Sequence, residues 1–209
     1  MSSLPLFSSS LASDIGLPLL TFAFLTAGTP GPNNMMLTAS GARFGWRRTV
    51  PHIFGIFCGL AVMIALSGLG LAQLFIVFPA CQWLLKLAGG AYLLWLSYKL
   101  WTAKAGHSAL PFLDRPMRPH EAALFQGVNP KAWMMATTII SLFAVKPEQT
   151  LQVTVMAIAV FCMVGWVTGS AWTLLGQSIR HWLQDPRRER WFNRALAVLM
   201  AGCVAWFMS

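Results

Sequence analysis

The chain alternates long uncharged apolar runs with short basic stretches. No charged residue lies between Ile15 and Ala39, between Thr49 and Leu85, between Leu151 and Ile179, or after Arg194; Ala122 to Val145 holds only Lys131. A hydrocarbon core of about 30 Å needs roughly 20 helical residues to cross. Six segments are therefore predicted: Leu11–Ala42, Val50–Gln73, Pro79–Trp101, Glu121–Val145, Leu151–Ile179 and Ala195–Met208. Pro79 and the polar Gln73 and Gln82 divide the Thr49–Leu85 run, which is too long for one crossing. The last segment is barely long enough, even with part of the preceding loop.

Two segments are interrupted. The first contains Thr29-Pro30-Gly31-Pro32-Asn33-Asn34, and the fourth Gly127-Val128-Asn129-Pro130-Lys131. A proline removes a backbone donor and clashes with the preceding turn, so neither segment is predicted as one continuous helix. Backbone groups freed in hydrocarbon cost several kcal/mol each unless protein or an enclosed polar cavity satisfies them. A break at membrane depth therefore marks a candidate site. Ile15 to Asn33 is roughly 27 Å of helix and Glu121 to Asn129 about 12 Å, which places both breaks somewhat inside the bilayer midplane.

Charge sets the orientation. Of the 209 residues 56% are hydrophobic and only 10% charged, against about 25% in a soluble domain; mean hydropathy is +0.61. A net charge of +9 suggests nucleic acid in a soluble protein, but the positions of the charges argue against it. All Lys and Arg except Lys86, Lys131 and Lys146 fall in three clusters, Arg43–Arg48, Lys99–Arg118 and Arg180–Arg194. Each flanks apolar segments, as cytoplasmic loops do, and can attract anionic headgroups. Lys86 can snorkel outward. Both termini lack Lys and Arg, and no cleaved signal peptide is read in Met1–Ser13. Six spans with both termini outside and odd loops in the cytoplasm fit this distribution. Trp83 and Trp206 then fall near the outer interface, and Trp46, Trp101, Trp182 and Trp191 near the inner one.

The fold class expected is all-α integral membrane, with six transmembrane helices as two inverted three-helix repeats, residues 1–105 and 120–209, joined by a basic cytoplasmic linker over 106–119. Each repeat begins with a helix broken at a Pro/Asn motif, and paired interrupted segments in corresponding positions point to an inverted-repeat transporter and its binding site. Gly165-x-x-x-Gly169 in segment 5 has a spacing that lets helix backbones approach.

The candidate chemistry is sparse. Cys58, Cys81, Cys162 and Cys203 are isolated in apolar runs, without Cys-x-x-Cys or Cys/His metal spacing; they read as small packing residues. No Asp or Glu is placed mid-membrane, which counts against a divalent-cation carrier. No cofactor or metal is expected, and the absence of a nucleotide-binding motif argues against a self-contained ATP-driven pump. A membrane thiol oxidoreductase and an inorganic-ion transporter are the alternatives. Lys131 is the only ionisable residue placed well away from an interface. It either snorkels to the cytoplasmic side or faces the cavity formed by both breaks, where it binds a substrate carboxylate and is the candidate for proton coupling. Pro30, Gly31, Pro32, Asn33, Asn34, Gln126, Asn129, Pro130 and Lys131 form the candidate substrate site, with amides of Asn33, Asn34 and Asn129 and freed carbonyls to receive a substrate ammonium. His52 opens segment 2 and reads as an interfacial residue before a proton relay.

TPGPNNMMLTASGARFGWRRT, AGGAYLLWLSYKLW, FQGVNPKAW and NRALAVLMAGCVAWF together resemble the LysE/RhtB family of amino-acid exporters, in order and over essentially the whole chain. The resemblance implies a bacterial inner-membrane secondary transporter that exports amino acids or derivatives, is no enzyme, and is closest to the cysteine/O-acetylserine and neutral amino-acid branch. The family's motif residues map onto Pro30, Gly31, Pro32, Asn33, Asn129, Pro130 and Lys131. The expected partners are a small amino-acid substrate, protons and the bilayer, without nucleic acid; homo-oligomerisation is left open.

Overall fold

The computed structural model describes residues 9–71, 77–103 and 115–208. Among them are eight α-helices and no strand. These are α1 (Ser9–Gly28), α2 (Pro32–Phe44), α3 (Trp46–Leu66), α4 (Pro79–Trp101), α5 (Pro119–Val128), α6 (Pro130–Phe143), α7 (Thr150–Ser178) and α8 (Pro186–Met208). Proline opens five of them, at Pro32, Pro79, Pro119, Pro130 and Pro186. At the first helical position its missing N–H costs nothing and its fixed φ suits the helix. The prolines that break segments 1 and 4 are thus also those that start α2 and α6. The part of the predicted linker before Arg115 and the predicted segment end at Gln73 lie outside the described residues.

One boundary differs from the sequence expectation. α8 starts at Pro186, so Arg187, Arg188, Arg190 and Arg194 sit on its first turns rather than in a loop. The Asp185 carboxylate accepts the backbone N–H groups of Arg187 at 2.7 Å and Arg188 at 3.2 Å. Those two bonds, in that order, hold the carboxyl below its ordinary range. A capping residue followed by proline outweighs the charge repulsion of the basic run.

Small residues decide how the helices pack. The one-residue turn between α2 and α3 is Gly45, at φ 82°, a region side chains disfavour. α2 runs antiparallel to α7 in backbone contact: a Cβ on Gly41 would lie 2.0 Å from the Thr173 carbonyl oxygen, and one on Gly176 2.0 Å from that of Thr38. α3 lies along α5, where a Cβ on Gly55 would meet the Pro119 oxygen at 2.2 Å. Gly89 brings α4 onto the second break, 2.3 Å from the Val128 oxygen by the same measure. Ser97 Oγ ties α4 to α8 through the Ala197 carbonyl at 2.8 Å.

Two apolar clusters result. One joins Met36, Leu37, Ile53 and Ile56 with Leu93, Leu96, Phe125 and Met200; the other joins Leu19, Leu60 and Ile64 with Ala132, Ile139, Val153 and Phe161. Large apolar side chains also face outward, among them Leu25, Phe54, Val62, Leu94, Leu142, Val167 and Leu199. Helices apolar on all sides fit a lipid surround. Trp46–Leu71 and Pro147–Ser178 are each long and apolar enough to cross a membrane.

Candidate functional site

The two breaks meet where the apolar clusters adjoin. α1 ends at Gly28 and α2 begins at Pro32, leaving Thr29, Pro30 and Gly31 outside a helix. The Asn34 amide turns back to donate to the Ala27 and Thr29 carbonyls, both at 2.8 Å. Trp172 Nε1 of α7 donates to the Gly28 carbonyl at 3.2 Å. The remaining acceptors converge on one cation. Lys131 Nζ donates to the Thr29 carbonyl at 3.0 Å, to Thr29 Oγ1 at 2.9 Å and to the Pro30 carbonyl at 3.4 Å. These use the three donors of an ammonium at the carbonyl end of a helix, where positive charge is stabilised. Lys131 therefore faces inward rather than snorkelling to the cytoplasmic side. Gly31 makes room for it, since a Cβ there would stand 3.0 Å from Lys131 Cδ.

The second break is shorter. Asn129 alone stands between α5 and α6; its Oδ1 accepts the Lys131 backbone N–H at 3.2 Å and so caps α6. Trp133 Nε1 donates to the freed Gly127 carbonyl at 2.9 Å. Across the gap, Asn33 Nδ2 donates to Gln126 Oε1 at 2.8 Å, while Gln126 Nε2 donates to Asn33 Oδ1 at 3.2 Å and to the Ala122 carbonyl at 2.9 Å. Asn129 Nδ2 adds a 3.4 Å bond to Gln126 Oε1. Gln126 is buried and uses every donor and acceptor it has.

Two cavities flank Lys131. One of about 50 Å³ is lined by Gly31, Asn33, Asn34, Gln126, Asn129 and Lys131, with Thr168 and Gly169 of α7 opposite. That space suits a few water molecules. The other, about 530 Å³, is bounded by Pro30, Pro32, Pro130 and Lys131, by the threonines Thr26, Thr29 and Thr138, and by apolar side chains such as Phe22, Met134 and Met135. Ligand sites commonly fall within about 300–1,000 Å³. All nine residues singled out from the sequence line one cavity or the other.

A family model described as LysE type translocator matches residues 24–209. The chain belongs to this family. Curated relatives named cysteine/O-acetylserine efflux protein, from Escherichia coli strain K12, Shigella flexneri and Shigella sonnei, are each 29% identical over 184 residues. That match spans 88% of this chain and 92% of each relative. No solved structure matches it.

In this LysE-type translocator the asparagines differ from the expectation in one respect. Asn34 closes the first break with its own amide, Asn129 caps α6, and Asn33 is paired with Gln126, so each already serves the protein. The sequence did not single out Thr29, whose hydroxyl and carbonyl both meet Lys131, or the α7 wall of Thr168 and Gly169. Gly165-x-x-x-Gly169 lines the small cavity, with a Cβ on Gly165 falling 2.6 Å from the Phe57 ring; the backbone approach of α7 occurs instead at Gly176. His52 is buried within the protein, with 2% of its surface exposed. Trp46 packs edge-on against Trp166, at 6.3 Å between centroids. The four cysteines are free, and among the described residues no group of three or more His, Cys, Asp or Glu could hold a metal.

Proposed function

We propose that this LysE-type translocator exports amino acids or small amino-acid derivatives across the bacterial inner membrane, by alternating access driven by proton antiport. Cysteine and O-acetylserine, named for its relatives, are the first candidates. The observation that carries this reading is the position of Lys131, at the junction of both breaks and both cavities. A substrate carboxylate entering the wider cavity meets an ammonium already desolvated and aimed by Thr29 and Pro30. To bind, it competes with the carbonyls that close the first break, so binding and opening of that break are coupled. Once Lys131 has let go, those carbonyls are free to accept a substrate ammonium. Among the described residues no Asp or Glu lines either cavity, which favours substrates without a cationic side chain. The small cavity has to widen before an amino acid passes, as a closed conformation between two open ones requires. Release of substrate outside, with Lys131 exchanging a proton, completes the cycle.

The architecture we infer has six spans, α1–α2, α3, α4, α5–α6, α7 and α8, arranged as two inverted three-span repeats with both termini periplasmic. The deciding experiment is counterflow of labelled amino acids in proteoliposomes, with cysteine, O-acetylserine, leucine, threonine and lysine as the panel. Saturable exchange of a neutral member with little lysine exchange supports the reading; no exchange of any member overturns it. Reporter fusions after Arg188 and after Gln149 should report cytoplasm and periplasm respectively, and a cytoplasmic carboxyl terminus would remove the six-span arrangement.

A further inference from the structure

His52 of α3 has 2% of its surface exposed, and neither ring nitrogen has a hydrogen-bond partner among the described residues. A neutral imidazole carries one donor and one acceptor, and leaving both unmet in a protein interior is destabilising. A packing role alone would be filled better by leucine or phenylalanine. The ring's surroundings point to its use.

On the loop side, Thr49 and Ser40 are buried with their hydroxyls 2.9 Å apart, and Thr49 Oγ1 donates to the Gly45 carbonyl at 2.9 Å. Thr49, His52 and Ile56 follow one another at helical spacing on the same side of α3, and Ile56 lines the small cavity. On α2, Asn33, Leu37 and Ser40 repeat the pattern, with Asn33 and Leu37 lining that cavity and Ser40 beneath it. His52 thus stands one turn below the cavity floor, with polar side chains on its loop side and the Asn33–Gln126 pair beyond Ile56 and Leu37.

Glu121, in the first turn of α5, is a carboxylate at this end of the bundle, where α5 packs along α3. Glu121 is held by Arg115 Nη1 at 2.8 Å and by the Arg118 backbone N–H at 2.8 Å, at the partly exposed mouth of the bundle. The buried polar groups of α2 and α7 near this end are the neutral Thr38, Ser40 and Thr173, while Arg43 of α2 and Arg47 and Arg48 of α3 stand at the α2–α3 turn; Lys131 of α6 lies across the cavity.

We infer that His52 is a proton-carrying residue of the transport cycle, passing protons between the central cavity and the cytoplasmic mouth at Glu121. The inference rests on the proton-antiport reading above. The unprotonated ring nitrogen takes a proton arriving from the cavity. The proton on the other nitrogen then leaves toward the loop side, and one proton crosses while the ring returns to neutral. Ile56 and Leu37 separate the ring from the cavity in the closed state, so transfer waits for the rearrangement that opens the site.

The test compares wild type with His52→Gln and His52→Asn, both neutral and able to hydrogen-bond, in proteoliposomes of the full chain. Labelled cysteine (kept reduced), leucine and threonine are assayed one by one for exchange without a gradient and for accumulation driven by an imposed pH gradient. Exchange within twofold of wild type together with at least a tenfold loss of gradient-driven accumulation is expected. Gradient-driven accumulation retained in either variant overturns the role of His52. Loss of exchange as well, in both variants and with monodisperse protein, makes His52 structural and also overturns it. A wild type that exchanges but never responds to the pH gradient overturns the antiport reading itself, and this inference with it.

Discussion

The two helix breaks solve the same problem with different materials. At the second, the chain satisfies itself locally: Asn129 caps the helix it precedes, and Trp133 covers Gly127 from six residues away. At the first, Asn34 donates from within the break, and further donors arrive from elsewhere, Trp172 from α7 and the Lys131 ammonium from the other half of the chain. A break sealed by its own residues is a fixed joint. One sealed by a distant cation can be opened by whatever binds that cation better. Under the transport cycle proposed above, the moving part is the Thr29–Gly31 break and the reference frame is Asn129–Pro130.

The largest effect should therefore come from Lys131. Lys131→Met removes the donor to the Pro30 carbonyl and to Thr29 Oγ1, leaves the Thr29 carbonyl to Asn34 alone, and removes the carboxylate anchor. Counterflow should fall by roughly a hundredfold, the equivalent of about 2.8 kcal/mol. Lys131→Arg keeps a charge that does not titrate, so it should retain substrate binding but lose uphill export driven by a pH gradient. Full gradient-driven export by the arginine variant would reduce Lys131 to an anchor and latch without a part in coupling.

Next come the residues that shape each break. Pro30→Ala restores a backbone N–H and relaxes the block on helix continuation; Asn129→Ala removes a cap worth about 0.5–2 kcal/mol. Both should lower export more than membrane abundance, by roughly tenfold where the loss reaches about 1.4 kcal/mol. The comparison of breaks sharpens this: abundance should suffer more from Asn129→Ala, because it loosens the fixed joint. Quantitative immunoblots beside transport rates measure the split, and equal loss of protein and export in both variants would turn the breaks into folding devices.

Much of this was legible because prolines and a lone lysine are conspicuous in apolar sequence. Pro30, Pro32 and Pro130 announce the breaks, and Lys131 has too few sites in a membrane where a charge is tolerated. Family resemblance, read from the same motifs, agreed with the family model. What stayed hidden depends on pairing that no single stretch records. The bonds of Thr29 to Lys131 and of Asn33 to Gln126 span about half the chain, and the Gly41–Thr173 and Gly176–Thr38 approaches exist only once α2 lies on α7. His52 looked interfacial because Arg47 and Arg48 precede it closely; only the packing of α2 and α5 over that turn of α3 buries it. The start of α8 was masked by its charges, although Asp185 and Pro186 are a capping residue and a helix-opening proline in sequence.

The smallest effect, and the finest test of the latch, is expected from Gly31→Ala. Gly31 has φ −175° and ψ 172°, extended backbone open to any residue, so the substitution strains nothing in the chain itself. The atoms nearest its new Cβ belong to the Lys131 side chain, Cδ at 3.0 Å and Nζ at 3.1 Å. The end of a flexible side chain can yield by a few tenths of an ångström, and the ammonium then shifts relative to the Thr29 and Pro30 acceptors. Abundance should stay at wild-type level, while exchange changes by roughly two- to fivefold, corresponding to about 0.4–1 kcal/mol. Gly41→Ala is the control: its Cβ would meet the Thr173 backbone oxygen at 2.0 Å, neither helix can retreat alone, and abundance itself should fall. If Gly31→Ala exchanges substrate at the wild-type rate in the same assay, export does not depend on where the ammonium sits. The difference between a latched break and a fixed one would then have no functional consequence.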